Sequence, residues 1–351
     1  MDTIIEKITG DSGHDRQVIQ KAAAIIKKGG LVAFPTETVY GLGGDAFDAD
    51  AASKIYAAKG RPSDNPLIVH ISDISDLTEL SDDVPEVVYT LAERFWPGPL
   101  TVIIKKNCRV PDTVTGGLDT VAVRLPDNET ARKFIKASGT FIAAPSANLS
   151  GRPSPTSAEH VAEDLSGRID MIIDGGDIDI GLESTIVDMT GDVPVLLRPG
   201  FVTAEMLCGA VGEVAYDPAL MSGVDGEVRP KAPGMKYRHY APKAEMTVVE
   251  GERGAVADKI KQLVRNDISQ GRKAGIMVSE ENKDFFCEGE MICLGSRTNP
   301  EEIARHLFGA LREFDERGVD TIYAEAFPLE GIGYAVMNRL LKAAGQRVIK
   351  V

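Results

Sequence analysis

The chain has 351 residues and a formal net charge of −14. Its 43% hydrophobic and 26% charged residues point to one or two ordinary globular domains and exclude a disordered or fibrous chain. No apolar run approaches the roughly 18 residues of a membrane span, no basic-then-apolar leader opens the chain, and the acidic balance argues against a broad grip on nucleic acid.

In chain order, apolar positions Val18, Ala22, Ile25 and Ile26 predict a helix over 16–28 that stops at Gly29-Gly30. A short buried strand is expected at 31–34, a helix over 50–58 ending at Gly60, and a strand at 67–71. A helix over 84–95 is broken by Pro97-Gly98-Pro99, and strands follow at 100–105 and 120–125. A helix over 129–137 and strands at 141–144, 171–174, 185–189 and 195–197 complete a mixed α/β domain, assigned to 1–214. Residues 215–244 show no period, and their prolines and glycines read as a linker or an active-site lid. Over 245–351, strands at 246–249, 274–278, 291–294 and 321–324 alternate with helices at 255–269, 300–317 and 336–344. That alternation predicts a small parallel sheet flanked by helices.

The four cysteines (Cys108, Cys208, Cys287 and Cys293) form no CxxC pair, which suits a reducing cytoplasm. P-loop, GxGxxG and GxSxG patterns are absent, and the five histidines have no metal-ligand spacing, so no protein metal ligands are assigned. The basic segment 229–243 is unusual in so acidic a chain, with five cations and no acid.

Polar clusters stand instead at strand ends. In FPTETVYGLG (34–43) two glycines follow a buried strand, where the backbone is expected to turn; its threonines could cap backbone groups or bind a ligand. KGRPSDNPLIVH (59–70) sets Lys59 and Arg61 after a helix, either to satisfy helix carbonyls or to meet a phosphate chain, and puts His70 in or beside a strand as core residue or ligand. In TVAVRLP (120–126) alternation places Thr120, Ala122 and Arg124 on one face, and so apolar a strand requires a buried acid or a ligand carboxylate to meet Arg124. AAPSANLSG (143–151), with Ser154 beyond it, offers small polar residues after a strand; ESTIVD (183–188) and LLRPG (196–200) enter and leave two more. Together they suggest one pocket for a polar anion.

These words, with FWPGPLT (95–101) and PGMKYRHYAP (233–242), resemble the L-threonylcarbamoyladenylate synthase family in its long two-domain form, over most of residues 15–212 for the first domain. The family's KxR and SxN signatures stand as Lys59-Gly-Arg61 and Ser146-Ala-Asn148. The resemblance implies a YrdC-like twisted, open, mixed sheet and a small Rossmann-like α/β C-terminal domain. It implies condensation of L-threonine, bicarbonate (or CO2) and ATP to L-threonylcarbamoyl-AMP and pyrophosphate. Other proteins then transfer the threonylcarbamoyl group to adenosine 37 of tRNA, with a weak tRNA contact by the synthase itself. By resemblance Thr38, His70, Arg124, the Ala144 backbone and Ser184 hold threonine. Arg61, Asn65, Thr120, Ser146, Ser154, Arg198 and Tyr237 hold ATP, Lys59 and Arg61 serve catalysis, and Mg²⁺ is held by the phosphates. Two rival readings are an RNA-binding, translation-associated module and a carbamoyl transferase. The acidic chain and the lack of an aromatic RNA platform weigh against the first, and the absence of CxxC zinc segments against the second.

Overall fold

The computed structural model describes residues 2–218, 220, 230–233 and 239–351. The chain divides into two compact units: Met1–Ser150, Ser154–Asp179 and Glu183–Lys236 make the first, and Gly151–Pro153, Ile180–Leu182 and Tyr237–Val351 the second.

The first unit is built on an eleven-stranded sheet. Its strands are β1 (Ile4–Lys7), β2 (Val32–Phe34), β3 (Gly41–Asp45), β4 (Ile68–His70), β5 (Leu100–Lys105), β6 (Thr120–Arg124), β7 (Ile142–Ala144), β8 (Met171–Asp174), β9 (Thr185–Asp188), β10 (Val195–Arg198) and β11 (Ala215–Tyr216). They lie in the order β1-β8-β2-β3-β7-β4-β6-β5-β9-β10-β11. Parallel pairs such as β4–β6 and β5–β9 stand beside antiparallel ones such as β5–β6 and β4–β7, so the sheet is mixed as expected.

Two helices cover one part of this sheet, α1 (Ser12–Ile26) and α4 (Glu129–Ser138). Asp11 caps α1 by accepting from the Gly13 and His14 amides, and Asn128 caps α4 by accepting from Ala131. Their apolar stripes bury Val18, Ala22, Ile26, Phe134 and Ile135 against Val32, Phe34, Ile142 and Met171. Each of the Val, Ile, Phe and Met side chains contributes about 1.5–3 kcal/mol. Helix α2 (Ala49–Lys59) starts on Asp48 and stops at Gly60, whose left-handed φ of 62° turns the chain and sets Lys59 and Arg61 on either side. Helices α3 (Glu86–Phe95), α5 (Ala158–Leu165) and α6 (Ala204–Val211) also belong to this unit.

One expectation is corrected by β3. The sequence leads one to expect a turn at Gly41 and Gly43, but Gly41–Asp45 is a strand paired with β2 and β7. A Cβ on Gly41 would lie 3.1 Å from Phe34 Cζ, and one on Gly43 would lie 2.6 Å from Ile142 Cγ2. These glycines let aromatic and branched side chains lie across the strand, which a propensity reading of glycine does not anticipate.

The second unit carries a parallel sheet in the order β14-β13-β15-β12-β16, from β12 (Glu245–Glu250), β13 (Ala274–Val278), β14 (Glu290–Cys293), β15 (Thr321–Glu325) and β16 (Val348–Lys350). Helices α7 (Arg253–Ser269), α8 (Pro300–Arg317) and α9 (Ile332–Ala343) connect them, matching the alternation in the sequence. Strand β16 was not anticipated, being only three residues long and half-exposed. Among the described residues no helix is long and apolar enough to cross a membrane.

Candidate functional site

The sheet register brings the first pair of candidate residues together. His70 ends β4 and Arg124 ends β6, and the two are paired in register on adjacent parallel strands. His70 also faces Ile142 on β7, and Ala144 pairs with Ile68. The His70 ring meets Phe34 edge-on at 5.8 Å, and its Nδ1 lies 3.1 Å from the Ile68 carbonyl. Burial, with the Arg124 charge adding to it, pushes the His70 pKa down to about 3, so the ring is neutral at physiological pH.

Arg124 is buried, as the apolar strand requires, and each of its guanidinium nitrogens faces a polar neighbour. Nε faces the Gly98 carbonyl at 3.3 Å, Nη1 donates to Thr38 Oγ1 at 2.8 Å, and Nη2 lies 2.7 Å from Glu37 Oε1. Thr38 is held by a closed turn: Thr36 Oγ1 accepts from the amides of Thr38 and Val39 and sits 2.9 Å from Thr38 Oγ1. Glu37 is therefore the acid that Arg124 called for, and it lies inside FPTETVYGLG. Its signal was the single carboxylate in that segment, set between two threonines.

A second group forms around Ser184, just before β9. Its hydroxyl lies 2.7 Å from Thr101 Oγ1 and accepts from Arg198 Nη2 at 3.1 Å, while Arg198 Nε donates to the Ser184 carbonyl at 2.9 Å. Arg198 Nη1 also reaches the Pro233 carbonyl at 3.4 Å. Thr101 was not among the sequence candidates, although FWPGPLT ends on it. Ser154 donates to Glu183 Oε1 at 2.5 Å, so Glu183 is a second unanticipated carboxylate.

The KxR and SxN words meet directly. Lys59 Nζ donates to the Ser146 carbonyl and, at 2.5 Å, to the Asn148 carbonyl, while Ser146 Oγ donates to Asn148 Oδ1 at 2.5 Å. The same loop is pinned by Ala147 N to the Tyr40 carbonyl and by Ser150 N to the Lys59 carbonyl. Gly41 bridges Ser146, which ties this loop to the Thr38 turn. Arg61 Nη2 donates to the carbonyls of Asn65 and Pro66 at 3.2 and 3.0 Å. Lys59 and Arg61 thus each grip neighbouring backbone carbonyls in addition to carrying charge.

Thr120 begins β6, four residues before Arg124, opposite Lys105. Four strand residues span about 13 Å, so a ligand touching both ends must be extended along the strand. Tyr237 lies outside the described residues, as do 229, 234–236 and 238 of the basic segment and residues 219 and 221–228 before it. Lys231 of that segment pairs with Asp188 at 3.2 Å.

Four cations, Lys59, Arg61, Arg124 and Arg198, are therefore buried in one unit around strand ends. Several buried polar atoms among them lack a hydrogen-bond partner: both Glu37 carboxylate oxygens, Arg124 Nη2 and Asn65 Oδ1. Unpaired buried polar groups cost about 1–3 kcal/mol each, and a bound polar ligand would repay that. Among the described residues no group of three or more His, Cys, Asp or Glu is placed to hold a metal ion.

The neutral His70 has a consequence for stability. Between pH 6.5 and about 3 the unfolded chain binds a proton there that the folded protein refuses, so stability falls as pH falls through this window. At pH 5 the loss from His70 is about 2 kcal/mol. His70→Gln is expected to lose less stability than the parent between pH 7 and pH 5, measured as urea midpoints. Equal losses would mean that His70 is not the buried neutral group.

Comparison with known proteins places these features in context. Residues 24–200 match the family model described as "Telomere recombination", and residues 202–345 match that of "Threonylcarbamoyl-AMP synthase, C-terminal domain". The chain is 53% identical to a threonylcarbamoyl-AMP synthase of Pyrococcus abyssi over 95% of its length and 96% of the relative's. It is 50% identical to that of Bacillus subtilis, over 97% of this chain and 96% of the relative's. A crystal structure of P. abyssi Sua5 complexed with L-threonine superposes with a TM-score of 0.92 at 50% identity, covering 100% of both chains.

Proposed function

The chain belongs to the threonylcarbamoyl-AMP synthase family, and from that premise we propose that it condenses L-threonine, bicarbonate (or CO2) and ATP into L-threonylcarbamoyl-AMP, releasing pyrophosphate. The observation that carries this reading at the level of the site is Arg124, a buried guanidinium on a strand end, flanked by Thr38 and His70. An amino-acid carboxylate is the natural counter-group for it. Thr38, His70, the Ala144 backbone and Ser184 complete the threonine subsite. A neutral His70 can accept or donate one hydrogen bond there without adding charge.

ATP lies along the remaining polar edge, with Arg61, Asn65, Thr120, Ser146, Ser154 and Arg198 as its contacts. Lys59 and Arg61 act on the phosphates, and Lys59 also fixes the Ser146–Asn148 loop that meets them. The threonine ammonium first loses a proton, and the free amine adds to CO2 with release of a second proton to solvent (from bicarbonate, with loss of water instead), giving a carbamate. One carbamate oxygen then attacks the α-phosphorus in line, the bond from that phosphorus to the bridging oxygen breaks, and pyrophosphate leaves with the electron pair. Charge shifts toward the leaving pyrophosphate as that bond breaks, so fixed cations and alignment lower the barrier without a protein nucleophile. Mg²⁺ arrives as the counter-ion of the nucleotide; the described residues offer it no carboxylate cage, and no step here runs through it.

The product is a labile mixed anhydride, which suits delivery to downstream proteins that place the threonylcarbamoyl group on adenosine 37 of tRNA, with a weak tRNA contact by the synthase itself. The four cysteines are all unbridged, in keeping with a reducing, cytoplasmic setting. The test is direct. The purified protein is incubated with threonine, bicarbonate and Mg-ATP, and pyrophosphate and the threonylcarbamoyl adduct are assayed. Threonine-dependent pyrophosphate is expected; its absence, or tRNA binding with no turnover, would refute the assignment.

A further inference from the structure

The Arg124–Glu37 contact is closer than it is satisfied. Glu37 is only 7% exposed, and its Oε1 lies 2.7 Å from Arg124 Nη2. Yet neither carboxylate oxygen receives an aligned hydrogen bond, and Nη2 donates none. A buried glutamate whose work was to neutralise an arginine would be expected to form the two-pronged pair that the guanidinium fork favours. Here one oxygen stands beside one nitrogen, and the alignment is left open. The residue is also held firmly, on the turn closed by Thr36 Oγ1. A buried unmatched acceptor and a buried unmatched donor, side by side and rigid, form the imprint of a ligand that carries the opposite pair.

We propose that Glu37 is a specificity-determining residue of the threonine subsite: Arg124 takes the substrate carboxylate and Glu37 takes the α-ammonium, so that the pair recognises the zwitterionic head of an α-amino acid. This rests on the function proposed above and deepens it. The pair is net neutral, as the zwitterion is, so binding brings no uncompensated charge into the site. Thr38 Oγ1, already on Arg124 Nη1, keeps the guanidinium in plane while Nη2 turns to the substrate. The contact also orients the nitrogen that must become the carbamate, and a deaminated acid would leave Glu37 buried without a donor.

The experiment compares L-threonine with 3-hydroxybutyrate, which keeps the carboxylate and hydroxyl but lacks the amine, by calorimetric titration of the full chain. The parent protein is expected to prefer threonine by roughly 10- to 100-fold, the worth of a charged hydrogen bond. In Glu37→Gln the preference should shrink to roughly threefold or less, and Glu37→Asp, which keeps the charge, should retain more of it than the glutamine variant. An unchanged preference in Glu37→Gln, with native circular dichroism, overturns the proposal. Should that variant not fold, equal binding of the two ligands by the parent protein overturns it, and a clear preference that Glu37→Asp weakens supports it. If the parent makes threonine-dependent pyrophosphate while the preference is untouched, only this inference fails. If it neither binds threonine nor makes pyrophosphate, the functional reading fails as well.

Discussion

Replacing Arg124 with leucine is expected to abolish threonine-dependent pyrophosphate release, by 1,000-fold or more on the order of several lost charge-assisted bonds. It should also destabilise the protein by about 3–5 kcal/mol, because Glu37 is then left buried beside an apolar side chain with no counter-charge. The two effects separate in a second variant. Arg124→Leu combined with Glu37→Leu removes both charges, so stability should return to within about 1–2 kcal/mol of the parent while activity stays absent. Urea melts of the single and double variants give the stability part, and the pyrophosphate assay gives the catalytic part. A single variant as stable as the parent would show that the ion pair carries no desolvation burden. A double variant that regained turnover would remove Arg124 from the mechanism.

Lys59→Met should come next in size. The substitution keeps the length of the stem and deletes the ammonium that holds the Ser146 and Asn148 carbonyls. Two losses are expected together: the Ser146–Asn148 loop relaxes, and a positive charge leaves the phosphate subsite. We expect kcat/KM for ATP to fall by roughly 100- to 1,000-fold, with the KM for threonine moving less, since four of the five proposed threonine contacts (Thr38, His70, Arg124 and Ser184) lie away from that loop. Steady-state kinetics with each substrate varied in turn decide this. Equal damage to both substrates would mean that Lys59 supports the whole pocket and not its nucleotide side.

Much of the site was legible because polar residues in apolar strands are expensive. Arg124 announced an unseen partner, and His70, Ser184 and Arg198 stood out at strand ends for the same reason. What was not legible was which partner met which residue. Whether Arg124 would find a protein acid or only a substrate carboxylate depends on the path of the Thr36–Val39 turn, and a string of letters does not reveal that Thr36 closes it. Lys59 looked like a phosphate ligand, and its grip on two carbonyls depends on a loop 87 residues away. In the fold, alternation exposed four of the five strands of the second unit's sheet, and the short β16 escaped it. Strand β3 escaped because its glycines serve the bulk of Phe34 and Ile142, which is a property of the neighbours.

Strand β1 has no partner close by in the chain. It pairs in parallel with β8, and Thr3 donates to the Ile169 carbonyl 166 residues away. During synthesis at roughly 5–20 residues per second, the amino terminus therefore waits on the order of 10–30 s for the strand that will receive it. Through much of that interval α1 is already made, with Val18, Ala22 and Ile26 beside Val32 and Phe34 of β2 but still lacking Ile142 of β7 and Met171 of β8. Closure of so distant a pair is also slow once both halves exist. Because Arg198 on β10 is the last of the sheet-borne site residues to be made, all of them exist before the second unit's β12 has begun.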